Sequence, residues 1–203
     1  MLGTKTPIRG VIATAIFAVI ASFVARAQED PHAGHAVAMN DAAHDALDDS
    51  NFHGINVDFE LLDRDGKLVT DEDFRGKHVL LGFGFTNCTH ICPMMALNMG
   101  KALSMADTEA VGIFVSVDTE RDSPRRTDDY AANFGERMLG LGGDYDQVSA
   151  AATNFKVSYA VTKTQNNYTV QHTANVYVIN PQGELTDVLT FSTAPEVLLG
   201  AIQ

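Results

Sequence analysis

Two continuous apolar runs constrain the fold of this chain more than any other feature of its sequence. They cover His78–Phe85 and Val111–Val117, and each has the length of a β-strand rather than that of a helix. An unbroken apolar strand is typical of the centre of a parallel sheet, because helices cover both faces of such a sheet. The sequence therefore predicts an α/β domain in which these two runs are central strands.

Helical segments are predicted after both runs. The first covers Pro93–Ala106, and the second begins at Ser123 and Pro124, a capping serine followed by a proline at the first helical position. A third covers Asp144–Val157, because its apolar residues recur at helical spacing. Those residues are Val148, Ala151, Ala152 and Phe155.

Two hairpins complete the pattern. Val57–Leu62 and Lys67–Thr70 flank a turn before the first central strand, and Thr173–Ile179 and Glu184–Phe191 flank a turn near the end of the chain. A short helix over Pro195–Ile202 follows the second hairpin. A short strand is also predicted between the second and third helices. This order of elements predicts an α/β, thioredoxin-like three-layer fold with an N-terminal β-hairpin extension.

The predicted domain covers residues 55–203 and is preceded by two short segments. Residues 1–27 have the pattern of a signal peptide, with Lys5 and Arg9 before an apolar run and small residues at the cleavage site. The run is shorter than the roughly 18 to 20 residues that cross a bilayer, which favours a cleaved signal over a membrane anchor. We therefore expect an exported protein, either free in the periplasm or anchored to the inner membrane and facing the periplasm.

The second segment, residues 28–54, is rich in Ala, Asp and His and has no sustained apolar face. We expect a flexible leader, and two interpretations of it stay open. It is either a solvated tether or a weak scavenger of copper or zinc. The side chains that would bind the metal are His32, His35, Met39, His44 and His53.

Charge and cysteine content exclude several classes of protein. Acidic residues outnumber basic ones by 26 to 14, and the formal net charge of −12 repels nucleic acid. The same acidity suits a protein partner with a basic face. Two cysteines cannot form a disulfide-dense scaffold or a four-cysteine zinc module.

Four chemically capable side chains are predicted to meet at one edge of the sheet. Cys88 and Cys92 follow the first central strand and Asp118 follows the second, at the carboxyl ends where sites form in α/β sheets. His172 precedes a strand that should run antiparallel to these two, so it belongs at the same edge. Asp118 would either accept a hydrogen bond that orients the site or form part of the turn that leads to Ser123.

Cys92 and Pro93 are predicted to lie at the start of a helix, where the dipole and free N–H groups should lower the pKa of the Cys92 thiol. Three functions fit such a pair of cysteines: a soft-metal site, a dithiol redox couple or a peroxide-reducing thiol. Two thiolates and an imidazole suit Cu(I), and zinc would accept the same set with a water as fourth ligand. No proline lies between Pro124 and Pro181, where a dithiol oxidoreductase of this fold would place a cis-proline, and His172 takes that place. This substitution favours the metal site.

Four segments resemble, in order, the signatures of the Sco/SenC family. They are Gly84–Pro93, Val115–Pro124, Tyr168–Thr173 and Tyr177–Gly183. The resemblance implies a thioredoxin-fold copper chaperone that helps to metallate the binuclear copper centre of cytochrome c oxidase. Some members of the family act as thiol-disulfide reductases.

The resemblance also implies a ligand set and partners. The ligands of a copper ion, as Cu(I) and in some states as Cu(II), would be Cys88, Cys92 and His172, with Asp118 as the acidic residue near them. The partners would be a copper-receiving subunit of cytochrome c oxidase and a thiol reductant. The chain departs from the family pattern at Thr89, where a proline is common, and at His90, where an acidic residue is common; His90 is either an exposed loop residue or an extra nitrogen ligand.

We therefore expect an exported copper chaperone whose loading is coupled to the redox state of its cysteines. A periplasmic thiol-disulfide reductase that acts on the cysteines of a copper protein is the alternative, so whether the protein is an enzyme stays open. A third hypothesis is a copper buffer dominated by the His-rich leader.

Overall fold

The computed structural model of this protein describes residues 54–165 and 167–203. The predicted signal peptide, residues 1–27, and the predicted leader up to residue 53 lie outside the described residues, so both stay predictions. No helix in the described part of the chain is long and apolar enough to cross a membrane.

The strands and helices of the described residues follow the predicted order with one addition. The strands are β1 (Glu60–Leu62), β2 (Leu68–Thr70), β3 (His78–Gly84), β4 (Ala110–Ser116), β5 (Met138–Leu141), β6 (Tyr159–Thr164), β7 (Asn167–His172), β8 (Asn175–Ile179) and β9 (Leu185–Thr190). The helices are α1 (Ile91–Met105), α2 (Pro124–Ala131), α3 (Tyr145–Asn154) and α4 (Pro195–Gly200). Single 3₁₀ turns lie at Asp71–Phe74 and Ala132–Phe134.

The two apolar runs form the centre of a five-stranded sheet with the order β5-β4-β3-β8-β9. β3 and β4 pair in parallel, as do β4 and β5, whereas β8 runs antiparallel to β3 and β9 antiparallel to β8. All residues of β4 are buried, and so are all residues of β3 after His78. This confirms that both runs are central strands covered on both faces.

Helices cover both faces of this sheet and create two apolar cores. On one face α1 and α4 bury Met95, Met99 and Leu198 against the sheet. On the other face α3 packs beside the β1–β2 hairpin, and Phe155 and Leu61 belong to that core. The result is the predicted three-layer arrangement, with the β1–β2 hairpin as its N-terminal extension.

The structure confirms one predicted helix start and corrects another. α2 begins at Pro124, and the Ser123 hydroxyl accepts a hydrogen bond from the Arg126 backbone N–H at 3.3 Å, as predicted. α1 begins at Ile91 rather than Pro93, so the predicted start is wrong by two residues. A proline is tolerated in the first turn because backbone N–H groups there have no partner within the helix.

The β6–β7 hairpin is absent from the sequence-based prediction. Its two strands pair antiparallel with each other as a separate two-stranded sheet, from Tyr159 opposite His172 to Thr164 opposite Asn167. The β6 side chains after Tyr159 are all exposed. Such a strand carries no alternation of apolar and polar residues, which is the signal that predicts a half-buried strand.

Candidate metal centre

The loop between β3 and α1 places Cys88 against the first turn of the helix. The Cys88 Sγ accepts a hydrogen bond from the Cys92 backbone N–H at 3.4 Å, and the backbone N–H groups of His90 and Ile91 also donate to it. These are donors that a helix start leaves without partners inside the helix. Both cysteines are reduced; Cys88 is partly exposed, and Cys92 is fully buried.

The two thiols therefore differ in acidity, in the opposite sense to the prediction. Burial by itself raises the pKa of Cys88, but the hydrogen bonds from the Cys92 backbone and thiol, and from the helix start, bring that pKa below its usual value. Burial and the hydrogen bond that its thiol donates to Cys88 raise the pKa of Cys92 well above the usual value. The prediction of a Cys92 thiolate is wrong, because the helix start faces the Cys88 sulfur while Cys92 points into the core.

Gly84, the last residue of β3, makes room for the buried Cys92 sulfur. A Cβ atom at this position would lie 3.0 Å from the Cys92 Sγ and 2.6 Å from the Phe114 Cζ. A side chain cannot be accommodated there without displacing one of these groups. The small residue at the strand end thus allows the thiol to pack directly against the sheet.

His172, at the end of β7, lies against Cys92 at the edge of the sheet where the topology predicts it. Its Nε2 lies 3.4 Å from the Cys92 Sγ, although the two residues are 80 positions apart. Its Nδ1–H donates to the Thr173 carbonyl oxygen at 2.9 Å, and the edge of the Phe85 ring packs against the imidazole with a centroid separation of 5.7 Å. The bond to Thr173 fixes the tautomer, so the Nε2 lone pair points to the Cys92 sulfur.

The imidazole is poised to act as a neutral ligand. Burial lowers the pKa of His172, and the hydrogen bond to Thr173 opposes that shift only in part. A neutral imidazole nitrogen together with the sulfurs of Cys88 and Cys92 would form a soft donor set, which suits Cu(I). Over residues 54–165 and 167–203, no three His, Cys, Asp or Glu side chains already stand in a metal-holding arrangement. Cys92 is in contact with His172, and its thiol donates a hydrogen bond to Cys88.

Asp118 connects the end of β4 to the β6–β7 hairpin. The residue is fully buried, and its carboxylate accepts a hydrogen bond from the Tyr168 hydroxyl at 2.6 Å and forms an ion pair with Arg121. Its backbone carbonyl accepts the N–H groups of Arg121 and Asp122. Asp118 is thus both a hydrogen-bond acceptor and a member of the turn that leads to Ser123, and its role in orienting the site stays a prediction. Burial and the bond to Asp118 raise the pKa of Tyr168 to about 12, which keeps its hydroxyl a donor.

A second buried acid, Asp122, was missed by the sequence analysis. Its carboxylate accepts hydrogen bonds from the Thr86 N–H at 2.8 Å, the Thr86 hydroxyl at 2.6 Å and the Ser116 hydroxyl at 2.7 Å. The Arg126 guanidinium lies 3.2 Å away. These bonds fix the start of the cysteine loop to the end of β4. The argument that found Asp118, an acid just after a central strand, applies to Asp122 as well.

An open cleft lies in front of Cys88. Cys88, His90, Arg121 and Tyr168 are among its lining residues. His90 is the N-cap residue of α1, is exposed, and its Nδ1 is 2.8 Å from the Thr89 hydroxyl. The cleft gives solvent and partners access to Cys88, whereas Cys92 is shielded by the core.

Comparison with known proteins yields one consistent family. The family model described as SCO1/SenC matches residues 47–203. Protein sco1 of Schizosaccharomyces pombe is 33% identical over 153 residues, which cover 71% of this chain and 58% of that protein. The chain thus spans little more than half the length of this curated relative.

Solved structures match the fold over a similar range. The structure of Bradyrhizobium japonicum ScoI with copper bound has a TM-score of 0.66 and 30% identity, and the match covers 73% of this chain and 97% of that one. BsSco, described as having a disulfide switch and as a member of the Sco family of cytochrome c oxidase assembly proteins, has a TM-score of 0.57 and 27% identity. That match covers 74% of this chain and 92% of BsSco. These similarities confirm the predicted thioredoxin-like fold.

Proposed function

This chain belongs to the SCO1/SenC family, and we propose that it is a copper chaperone that binds Cu(I) through Cys88, Cys92 and His172 and delivers it to a subunit of cytochrome c oxidase. The copper bound to B. japonicum ScoI and the description of BsSco as belonging to an oxidase assembly family support this proposal. Copper is here the cargo of the protein.

One observation carries the proposal. The Cys92 Sγ and the His172 Nε2 lie 3.4 Å apart at the end of the sheet, with the imidazole held neutral and its Nε2 lone pair directed at the sulfur. Two sulfurs and one nitrogen favour a soft monovalent ion over the hard ions that prefer oxygen. Three ligands also leave a copper ion open to an incoming ligand.

The unequal exposure of the ligands suggests a direction for delivery. Cys88 faces the cleft and carries the more acidic thiol, whereas Cys92 is fully buried. A ligand of the partner protein would reach the copper from the Cys88 side and replace that sulfur first. Exchange of one ligand at a time would transfer the ion without releasing it into solution.

Loading would depend on the redox state of the two cysteines. Oxidation joins the two sulfurs in a disulfide and releases two electrons and two protons to an oxidant, which removes both thiolate ligands. A thiol reductant would then be needed to restore them. A form locked as the disulfide should bind Cu(I) far more weakly than the reduced form, and equal binding by the two forms would contradict the coupling.

The test is an anaerobic titration of residues 28–203 with Cu(I) against a competing chelator. We expect one tightly bound copper, and binding at least about tenfold weaker in a His172→Ala variant. His78→Ala is the matched control, because His78 lies at the opposite end of β3 from the cysteines. No binding above the competitor, or equal binding by His172→Ala, would refute the proposal.

The second candidate function is a thiol-disulfide reductase, and the acidity of the thiols favours it. An exposed thiol with a lowered pKa beside a buried one with a raised pKa is an arrangement that can attack a disulfide and then resolve the mixed disulfide. Disulfide exchange with a model substrate should be lost in Cys88→Ser and largely kept in His172→Ala. Copper binding should instead be weakened in His172→Ala, and this difference separates the two functions.

We also propose that the protein is exported, because residues 1–27 have the pattern of a signal peptide. The fully exported form would reside in the periplasm, and retention of the segment would anchor it to the inner membrane. Fusion of residues 1–54 to a reporter enzyme that is active only outside the cytoplasm tests this. Activity is expected for the fusion and not for a variant with Lys5 and Arg9 replaced by Glu; an inactive fusion would contradict export.

A further inference from the structure

The β6–β7 hairpin carries His172 but is not part of the main sheet. In the described residues its two strands form their own sheet, with no ladder to the five-stranded sheet. His172 pairs with Tyr159 at the base of the hairpin. Only Thr173 and Ala174 separate His172 from β8, and the Thr173 N–H donates to the Ser158 carbonyl oxygen, so the backbone anchors the base of the hairpin. The rest of the hairpin is fastened to the domain by side-chain contacts, which also bear on the position of the imidazole.

The strongest of these contacts meet at Tyr168. Its hydroxyl donates to the buried Asp118 carboxylate at 2.6 Å, and the Arg121 guanidinium carbon lies 3.8 Å from the centre of its ring. Arg121 also forms an ion pair with Asp118. A charge-assisted hydrogen bond to a buried acid and a cation over an aromatic face are both stronger than ordinary surface contacts. We refer to Asp118, Arg121 and Tyr168 together as the clamp.

The clamp reaches His172 through an aromatic contact. The Arg121 guanidinium carbon lies 6.0 Å from the centre of the Phe85 ring, and the same ring makes an edge contact with the His172 imidazole, with their centres 5.7 Å apart. Arg121 thus touches the hairpin through Tyr168 and the cysteine loop through Phe85. One guanidinium links the two segments that supply the nitrogen and sulfur ligands.

We propose that Arg121 and Tyr168 are positioning residues that hold the β6–β7 hairpin, and with it the His172 Nε2, against the Cys92 sulfur. In this proposal both residues act on His172 through Asp118 and Phe85 and are not ligands themselves. The expected effect on Cu(I) affinity rests on the proposed function, whereas the position of the His172 ring does not. The two can be tested separately.

The first test uses the reduced, metal-free protein and the nuclear Overhauser effect between the His172 and Phe85 rings. Tyr168→Phe removes one hydroxyl and keeps the ring under Arg121, and it should weaken or abolish this effect. Glu120→Gln is the matched control, because it breaks the exposed ion pair that Glu120 forms with Lys163 on the same hairpin. The control should leave the ring contact unchanged.

The second test measures Cu(I) affinity. Tyr168→Phe and Arg121→Gln should each bind Cu(I) about tenfold more weakly than the wild type, as expected when a group that orients a ligand is lost. In a His172→Ala background neither substitution should weaken binding further, because a positioning residue has nothing left to position. Arg121→Lys keeps the positive charge beside Asp118 but loses the planar guanidinium over the Tyr168 ring. Its Cu(I) affinity should lie between those of the wild type and Arg121→Gln.

The outcomes separate this inference from the copper proposal. If the contact between the His172 and Phe85 rings persists in both Tyr168→Phe and Arg121→Gln, the positioning proposal is wrong. It is also wrong if these substitutions lower Cu(I) affinity equally in the wild-type and His172→Ala backgrounds. If the wild type binds no Cu(I), the proposed function fails, while the ring contact still decides whether the clamp positions His172.

Discussion

At the scale of single residues, two cysteines four positions apart have opposite environments. Cys88 accepts hydrogen bonds from a helix start and faces a cleft, while the Cys92 thiol keeps its proton and donates a hydrogen bond to Cys88 from inside the core. The negative charge of the pair therefore belongs on Cys88. This assignment makes Cys88 the first thiol to meet an electrophile, an oxidant or an incoming metal ion.

Alkylation tests this assignment. At pH 7 the reduced, metal-free protein should react with iodoacetamide first at Cys88, because the lowered pKa gives that residue the larger thiolate fraction. Mass spectrometry of the digested protein identifies the modified residue. Cys92→Ser should keep most of the reactivity and Cys88→Ser should lose it; preferential modification of Cys92 would contradict the assignment.

The buried imidazole predicts a dependence of stability on pH in the metal-free protein. Burial lowers the pKa of His172, so the unfolded chain takes up a proton more readily than the folded one. The stabilisation is present above the ordinary histidine pKa of 6.5 and is lost as the pH falls through the lower folded value.

Urea unfolding at pH 7.5 and pH 5.5 measures this effect. The free energy of unfolding should fall at the lower pH, and it should fall less in His172→Gln than in the wild type. His78, whose pKa burial also lowers, contributes in the same direction and is unchanged in both proteins. An identical loss in the variant would show that His172 does not titrate as described.

At the scale of the elements, the end of β3 determines how closely helix α1 approaches the sheet. Gly84 ends the strand where the Cys92 sulfur and the Phe114 ring both touch the backbone. Two residues later Thr86 is held by the buried Asp122 carboxylate. Strand, loop and helix are thus fixed together at the point where the cysteines emerge.

Gly84→Ala should destabilise the domain by about 2 kcal/mol or more, because its Cβ would overlap the Phe114 ring and press on the Cys92 sulfur. Gly200→Ala in α4 is the control, since no atom lies within 4 Å of the added Cβ. Its effect should be neutral or slightly stabilising. Chemical denaturation of both variants measures the difference, and a wild-type stability for Gly84→Ala would contradict the packing.

At the scale of the whole molecule, the candidate site belongs to the folded domain and not to the His-rich segment before it. Cys88, Cys92 and His172 come from separate elements that meet only because the sheet orders β3 beside β4 and β8. A site of this kind should bind copper independently of the leader.

Deletion of residues 28–53 from the exported form tests that independence. The shortened protein should still bind one Cu(I) with the affinity of the longer form, because all three proposed ligands are retained. Metal analysis after gel filtration, together with competition against a chelator, gives stoichiometry and affinity. Loss of most of the bound copper would favour the copper-buffer hypothesis instead.

Much of the fold could be predicted from local signals in the sequence. The apolar runs identified β3 and β4, Ser123 and Pro124 identified the start of α2, and the strand ends indicated the edge where the cysteines lie. Apolar periodicity and the residues that favour turns and caps act over a few positions, so they can be detected without knowledge of the rest of the chain.

Other features were decided only by the tertiary structure. The β6–β7 hairpin has mostly exposed, polar strands, and it is fastened by Tyr168 to Asp118, 50 positions away. The acidity of Cys88 follows from the register at which α1 starts, and the neutral state of His172 from its burial beside Cys92 and Phe85. The sequence by itself determined which side chains come to one edge of the sheet. Their protonation states and contacts depend on burial and on partners distant in the chain, which only the folded arrangement supplies.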